Sequence, residues 1–492
     1  MFERIENWWR RPAGIREVLT LALPLVVSTL SWTLMIFTDR VFLVRYSQNA
    51  VAAALPAGML AFVVICFPLG VATYVNTFVA QYQGAKRPER IGPVVWQALF
   101  IGFLSIPLAI ATIPFAPALF QAAGHAPEIA ALEIDYYQAI CWGQGAIVVS
   151  AALSAFFTGR GDVRTVMIVD SFAALVNVVL DYAWIFGHWG FPEMGAAGAA
   201  WATTVATLIR AAIYLALWFR PEYRQPFRTV AGCRFDRQLF GRLLWFGFPN
   251  GMQYLFEVGA FSVYLLLVGQ LGAQELAASN LAFNVNSLAF MPVYGIGIAT
   301  GTLVGQHLGE NRADLAARGT WSAFTIAAGL MALVGSLYVL APEWLLAAYE
   351  SEVARESFAE LRELTTVLLR FVAFYCLFDA MNVIFSAAIK GAGDTRFVLV
   401  TTLAASALPV VMTWVGVKIL GYGLLWAWVS VTAWVCLLGV MFLLRFVQGR
   451  WCTMRVIEQA AETLLELPSI QRSVEHVRPA LENSFRSSEA EA

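Results

Sequence analysis

The chain predicts an all-α polytopic membrane protein, with twelve transmembrane helices forming two parallel-repeat six-helix bundles. Composition, apolar run lengths and an internal duplication predict it. Hydrophobic residues make up 59% and charged residues 13%, against roughly a quarter charged in soluble domains. Apolar stretches long enough for a ~30 Å hydrocarbon core lie at about 17–45, 50–80, 93–118, 129–157, 165–187 and 196–219. Six more follow at about 241–271, 276–305, 319–342, 363–389, 397–417 and 422–446. Several exceed the length needed for a perpendicular crossing, so tilt or protrusion is expected.

The duplication is legible by eye. SAFFTGRGDVR (Ser154 to Arg164) recurs as SAAIKGAGDTR (Ser386 to Arg396). TFVAQYQG from Thr77 recurs as TLVGQHLG from Thr302, LALP ending at Pro24 as FGFP ending at Pro249, and GAAWAT from Gly198 as GLLWAW from Gly423. Four matches in one order place a repeat over about 15–225 and 240–448. Lys and Arg then test the span count. Nineteen fall before the first span or after the even-numbered ones, including Arg16, Lys86, Arg164, Arg224, Arg312 and Arg396, against Arg45, Arg355, Arg362 and Lys418 on the other side. The positive-inside rule puts both termini and the Arg-rich central linker in the cytoplasm of a plasma (inner) membrane protein. Six spans per half make the repeat parallel, about an axis along the membrane normal.

The expected organisation is an N-terminal cytoplasmic segment (1–16), a first bundle (17–220), a linker (221–240), a second bundle (241–446) and a cytoplasmic tail (447–492). No cleavable signal is expected, because the first apolar stretch is too long and no small-residue cleavage site follows. The six cysteines lack paired spacing and the four histidines are isolated, so disulfides, a metal cluster and a cofactor are not expected. Within the tail, VIEQAAETLLEL has helical periodicity, and disorder is expected after it.

A carboxylate inside a membrane helix costs roughly 2.5–3.5 kcal/mol on insertion scales and marks a pathway or ion site. Depth sorts these residues into two sets. Asp39, Asp181 and Thr203 lie about 10 Å beneath the outer surface, with Asn177 one turn from Asp181 on the same face. Glu257 and Asp379 lie ~21–24 Å in from the outer ends of their spans, with Tyr375 one turn from Asp379. A bland reading stands beside each: a buried carboxylate held by an amide or a backbone group. Asp170 extends the Asn177/Asp181 face inward, and Arg210 and Arg370 read as snorkelling or pairing side chains. Arg40 points about 100° away from Asp39 on a helix and is no ready partner. The repeat maps Glu257 onto Trp32, Asp379 onto Ile147, Asp39 onto Tyr264 and Asp181 onto Thr413. The scaffold is duplicated, while the ionisable residues are not.

The two glycine turns, Gly159, Gly161 and Asp162 with Gly391, Gly393 and Asp394, are expected to be hinges or structural turns at the cytoplasmic ends. Glycine admits left-handed backbone, and either aspartate can cap the next helix. Gly297, Gly301 and Gly305 with Ala72 and Ala80 predict close helix packing.

The chain resembles the multidrug and toxic compound extrusion (MATE) family, NorM-like branch, over about 15–446. The resemblance rests on Pro24 with Asp39, TFVAQYQG, the GRGD turn, NVVLDYAWIFG, GAAWAT, FPNGMQYLFE and YCLFDAMNVIFSAAIKGAGD. It implies a V-shaped pair of bundles and alternating-access export of organic cations or drug-like amphipathic compounds in exchange for Na⁺ or H⁺. It also implies cation or proton coupling at Asp39, Asn177, Asp181 and Thr203 and at Glu257, Tyr375 and Asp379, with Na⁺ a candidate ligand of either set. Arg40 beside Asp39 departs from the family pattern. Such a transporter is not an enzyme, binds no nucleic acid, sits in a lipid bilayer and is expected to be a monomer. The competing reading is a flippase of a lipid-linked precursor with the same two-bundle fold, for which Arg370 would serve. A major-facilitator transporter is disfavoured because QYQGAKRPERIG stands where its charged loop would be.

Overall fold

A computed structural model describes residues 11–122, 125–347 and 355–458, with side chains from residue 360 in the last stretch. The expected tail helix therefore lies outside the described residues beyond Glu458, as do Arg4 and Arg10. Twelve helices are long and apolar enough to cross a membrane. They are α1 (Ile15–Tyr46), α2 (Gln48–Gly84), α3 (Pro88–Ala122), α4 (Pro127–Gly159), α5 (Val163–Phe186), α6 (Gly195–Trp218), α7 (Arg237–Gly269), α8 (Ala273–Gly309), α9 (Ala313–Leu340), α10 (Glu360–Ala392), α11 (Thr395–Ile419) and α12 (Leu424–Val447). Each overlaps its expected apolar run, because a backbone in hydrocarbon must satisfy its own hydrogen bonds. Large apolar side chains stand exposed all round, Leu34, Leu104, Leu266 and Leu340 among them. That surface suits lipid rather than water.

Two details escaped the hydropathy reading. Helix α2 is interrupted at Tyr74, between Gln48–Thr73 and Val75–Gly84. Helix α7 starts four residues earlier than its apolar run, because Asp236 caps it by accepting from the backbone N–H groups of Gln238 (2.9 Å) and Leu239 (3.1 Å). The linker is not loose. It clings to α3 through Gly92 N–H to the Phe227 carbonyl (2.9 Å), Trp96 Nε1 to the Thr229 carbonyl (2.6 Å) and Gln97 Nε2 to the Arg234 carbonyl (2.9 Å).

The packing repeats as the sequence does. In the first bundle α4 lies against α2, α3 and α6, and α1 against α5; in the second, α10 lies against α8, α9 and α12, and α7 against α11. Between bundles, α1 meets α8 and α2 meets α7. These two contacts are exchanged by swapping the halves, as a pseudo-twofold axis requires.

The hydrogen bonds across the seam cluster near one end, the face at which α1 begins and α12 ends, called here the terminal face. Gln81 Nε2 donates to the Gly391 carbonyl (3.0 Å), and its repeat equivalent Gln306 donates to the Gly159 carbonyl (2.9 Å). Each half thus holds the other's glycine turn. Gly84 lies against the Gln306 backbone and Gly309 against that of Gln81, with no room for a Cβ at either. Tyr74 Oη to the Lys390 carbonyl (2.9 Å), Asn250 Nδ2 to the Gly70 carbonyl (2.6 Å) and Asn76 Nδ2 to Thr302 Oγ1 (3.0 Å) add to the seam. Away from that cluster the seam is bonded by Thr29 Oγ1 to the Met291 carbonyl (3.0 Å) at mid-depth and by Arg40 Nη1 to Asn284 Oδ1 (3.4 Å) toward the opposite face.

The glycine turns fold as expected in backbone and differently in side chain. Gly161 and Gly393 have φ of +87° and +114°, the left-handed region that glycine enters without cost. Gly159 packs on Val79 and Gly391 on the Gly301 backbone. Asp162 and Asp394 occupy the N-cap positions of α5 and α11, but neither side chain caps the helix. Asp162 accepts instead from the Thr165 hydroxyl (2.9 Å) and Asp394 from Arg445 Nε (2.8 Å). A neighbouring hydroxyl and a guanidinium outcompete the first-turn amides. The glycine stripe of α8 also divides its contacts: Gly297 and Gly301 face α10, while Gly305 faces Ala80 of α2 in the other bundle.

Candidate functional site

The outer polar set comes together on the inner side of the first bundle. Asn177 and Asp181 are fully buried one turn apart on α5, and α6 brings Thr203 beside them. With its amide turned so that both ends are satisfied, Asn177 donates to Asp181 Oδ2 (3.0 Å). Its oxygen then accepts from the Thr203 hydroxyl (3.3 Å) and backbone N–H (3.2 Å). Asp39 faces this group from α1 and is close enough for the Asp39 and Asp181 carboxylates to act on each other electrostatically. Tyr136, from α4, lies within reach of both. Asp39 Oδ1 and Asp181 Oδ1 are buried and accept no hydrogen bond from the described residues. Two carboxylates, an amide and a hydroxyl therefore converge, with lone pairs to spare for a proton or a small cation. Arg40 donates to Asn284 across the seam (3.4 Å) and makes no hydrogen bond to Asp39, but its charge still acts on Asp39 and Tyr136.

The second set is looser than its depth suggested. Glu257 accepts from Gln253 Nε2 (2.8 Å), one turn back on α7. Lys390 is the basic side chain that acts on it electrostatically. Beside it the hydroxyls of Tyr254 (α7) and Tyr294 (α8) share a hydrogen bond of 2.7 Å. Asp379 is bonded to Asn382 on its own helix and lies by Tyr375, which also senses Tyr264 and Tyr338. Tyr264 occupies the position equivalent to Asp39. Tyr375 and Asp379 are thus neighbours, while the hydrogen bonds of Glu257 and Asp379 run to different partners.

Several members of these groups were missed in the sequence. Tyr254, Tyr294 and Tyr136 are neutral and sit among many other aromatics. Lys390 lies in the glycine turn, where a positive charge reads as topogenic. Asp170 and Arg210, read as boundary or snorkelling residues, instead line a cavity of about 370 Å³ between α1, α2, α5, α6 and α8, with Trp32 and Tyr294. Arg370 lies elsewhere, in an apolar groove with Phe371, Phe374 and Phe378 between α10 and α12. Among the described residues, no group of three His, Cys, Asp or Glu side chains could hold a metal.

Comparison with known proteins gives this arrangement a context. The MatE family model matches the chain twice, over residues 24–183 and 249–415, so it meets the internal repeat half by half. A probable multidrug resistance protein NorM of Xanthomonas axonopodis pv. citri is 30% identical over 385 residues, covering 78% of this chain and 82% of its own length. One of the same name from Thermotoga maritima is 28% identical over 443 residues, covering 89% and 93%. The multidrug resistance protein PmpM of Pseudomonas aeruginosa is 29% identical over 404 residues, covering 80% and 82%. Among solved structures, an outward-facing multidrug resistance MATE family transporter of the MOP superfamily superposes with a TM-score of 0.81 at 20% identity, over 91% of this chain and 98% of that one. At that identity the superposition speaks for the fold.

Proposed function

The chain belongs to the MatE family of multidrug efflux transporters, and we propose that it is a secondary antiporter exporting amphipathic organic cations in exchange for Na⁺ or H⁺. The observation that carries this reading is the outer set: Asp39 and Asp181, facing each other across α1 and α5, each with a buried oxygen lacking a donor. Removing a carboxylate from water disfavours its charged form, so the group gains by taking up a proton or a cation. Occupancy by the coupling ion cancels the field that holds a lipophilic cation. The two ligands then weaken each other's binding, and linkage makes that coupling reciprocal.

Alternating access follows from the seam. With the terminal face taken as cytoplasmic, as the basic loops favour, the bonds clustered there support a state closed on the inward side. In this reading the ion enters from outside and the exported compound leaves. The bundles then rock about the α1–α8 and α2–α7 contacts, and the cavity reloads from the cytoplasm or the inner leaflet. Glu257 and the Asp379–Tyr375 pair form a second coupling set. The protein works as a monomer in the plasma membrane, with no cofactor.

Proteoliposomes test this directly. Substrate-dependent ²²Na⁺ and H⁺ flux should identify the coupling ion, and Asp39→Asn, Glu257→Gln and Asp379→Asn should each reduce gradient-driven dye export. Undiminished export by Glu257→Gln and Asp379→Asn would remove the second set from the mechanism. Export by the wild type without any cation gradient would sink the antiport reading itself.

A further inference from the structure

One charge in the second bundle belongs to neither polar set. Arg370 is exposed on α10, in the apolar run that begins at residue 363. At 1.5 Å per residue it stands ~10 Å inside that run. A charge at such depth is costly without a partner. Among the described residues, Arg370 forms no ion pair and donates no hydrogen bond.

Arg370 lies in a groove of about 610 Å³ between α10 and α12. Phe371, Phe374 and Phe378 form one wall, and Val429, Ala433 and Cys436 the other. Both sets follow helical spacing, so each makes a stripe along its helix. The groove opens on the lipid-facing surface: Phe374 and Val429 are exposed, beside exposed Leu377 and Leu425. Tyr375 and Asp379 lie on the buried side of the same helix.

A second polar group in the groove is unpartnered. The Thr432 hydroxyl is buried, on a residue lining the groove, and has no hydrogen-bond partner among the described residues. A helical threonine often returns its hydroxyl to the carbonyl four residues back, as Thr300 and Thr320 do. The register of the two helices fixes its level. The Phe371 and Trp428 rings are 6.4 Å apart, and Thr432 is one turn past Trp428, ~6 Å nearer the terminal face. Reading inward, the groove offers a guanidinium, then a hydroxyl among apolar rings. A glycerophospholipid has the same order: phosphate, ester carbonyls, acyl chains. Helical side chains lean toward their helix N-terminus. For α10 that end lies at the face opposite the terminal one, so Arg370 leans toward the headgroups of that leaflet.

We propose that the groove between α10 and α12 binds one anionic phospholipid of the leaflet opposite the terminal face. Arg370 donates to the phosphate oxygens, the Thr432 hydroxyl donates to an ester carbonyl, and an acyl chain runs along Phe374 and Phe378. The planar guanidinium matches a phosphate, and a headgroup without its own ammonium leaves that phosphate open to Arg370. The inference is independent of the export reading, since it concerns lipid held on the outer wall of one bundle.

Photolabelling of the full chain in phosphatidylcholine vesicles tests this. Two probes carry the same diazirine acyl chain, one on phosphatidylglycerol and one on phosphatidylcholine, and mass spectrometry locates the adducts. Adducts on segments 371–378 and 429–436 should form about tenfold more with the phosphatidylglycerol probe, as a charged hydrogen bond implies. Arg370→Gln should bring that ratio near one. Ala433→Trp, which fills the groove and keeps the charge, should remove the excess as well. Thr432→Val should lower labelling by both probes and leave their ratio, and unchanged labelling would overturn the ester contact. Equal labelling of the wild type by the two probes overturns the proposal whether or not any variant folds. So does an excess in these segments that survives Arg370→Gln or Ala433→Trp.

Discussion

Asn177 shows how single residues make this site. Its one amide serves Asp181 and Thr203 together, so Asn177→Ala would leave a fully buried carboxylate with no donor. The expected cost is about 1–3 kcal/mol, read as a lowered Tm of the purified protein, with weakened coupling-ion binding alongside. Thr203→Val removes only the hydroxyl and should cost less; a larger loss than for Asn177→Ala would contradict this order. Carboxylates in apolar runs are costly enough to stand out in a sequence, which is why Asp39, Asp181, Glu257 and Asp379 were legible. Asn177, Thr203 and Tyr375 were legible beside them by depth and helical spacing, but the remaining partners were not. Tyr136, Tyr254, Tyr294 and Gln253 are neutral, and only the fold says which of many such residues face a carboxylate.

Among the elements, the crossing of α2 and α8 at the terminal face decides how the halves engage. Gln81 and Gln306 each donate to the opposite glycine turn, and Gly84 and Gly309 let the two backbones touch. The repeated step was visible in the sequence as TFVAQYQG and TLVGQHLG, where it marked the duplication and not a contact between the halves. Gly84→Val and Gly309→Val should force the crossing apart, at about 1–3 kcal/mol each. Spin-label distances across the terminal face should lengthen in both variants, and by similar amounts, because the positions are equivalent. An unchanged distance in either would mean that the crossing absorbs the side chain elsewhere. Gln306→Ala, which removes one hydrogen bond, should act in the same direction at about 0.5–1.5 kcal/mol.

At the scale of the whole molecule, the pseudo-twofold is broken on the terminal face by the segment after α12. Its Trp451 is buried, Val456 N–H donates to Gln81 Oε1 (2.8 Å), and the Glu458 carboxylate accepts from the Tyr82 hydroxyl (2.8 Å). Arg87 and Arg90 of the first half approach Glu458 at 3.7 Å each. The segment therefore fastens the end of the second bundle to the first, across the seam that alternating access must open. Glu458→Ala should raise the accessibility of this face to a thiol reagent at an engineered cysteine, consistent with loss of about 1–3 kcal/mol from a buried charged hydrogen bond. Equal labelling rates would show the contact to be passive. The sequence places this stretch at the start of the cytoplasmic tail and does not show that it docks, because its partners lie in residues 81–90, far away in the chain.

What the sequence by itself determined is the architecture: twelve spans, their repeat and the uneven distribution of carboxylates. These follow from local free energies, since burying an uninterrupted apolar helix or paying for a charge in hydrocarbon depends on composition over some twenty residues. Tertiary structure alone decided which polar groups meet. It joined Asp181 to Thr203 through Asn177 and faced them with Asp39, gave Glu257 and Asp379 separate partners, set Arg210 beside Trp32, and linked each glutamine to the other half's glycine turn. Hydrogen bonds and ion pairs act over a few ångströms between residues tens to hundreds of positions apart. Their pairing is fixed by the rotation and register of packed helices, which no local pattern encodes.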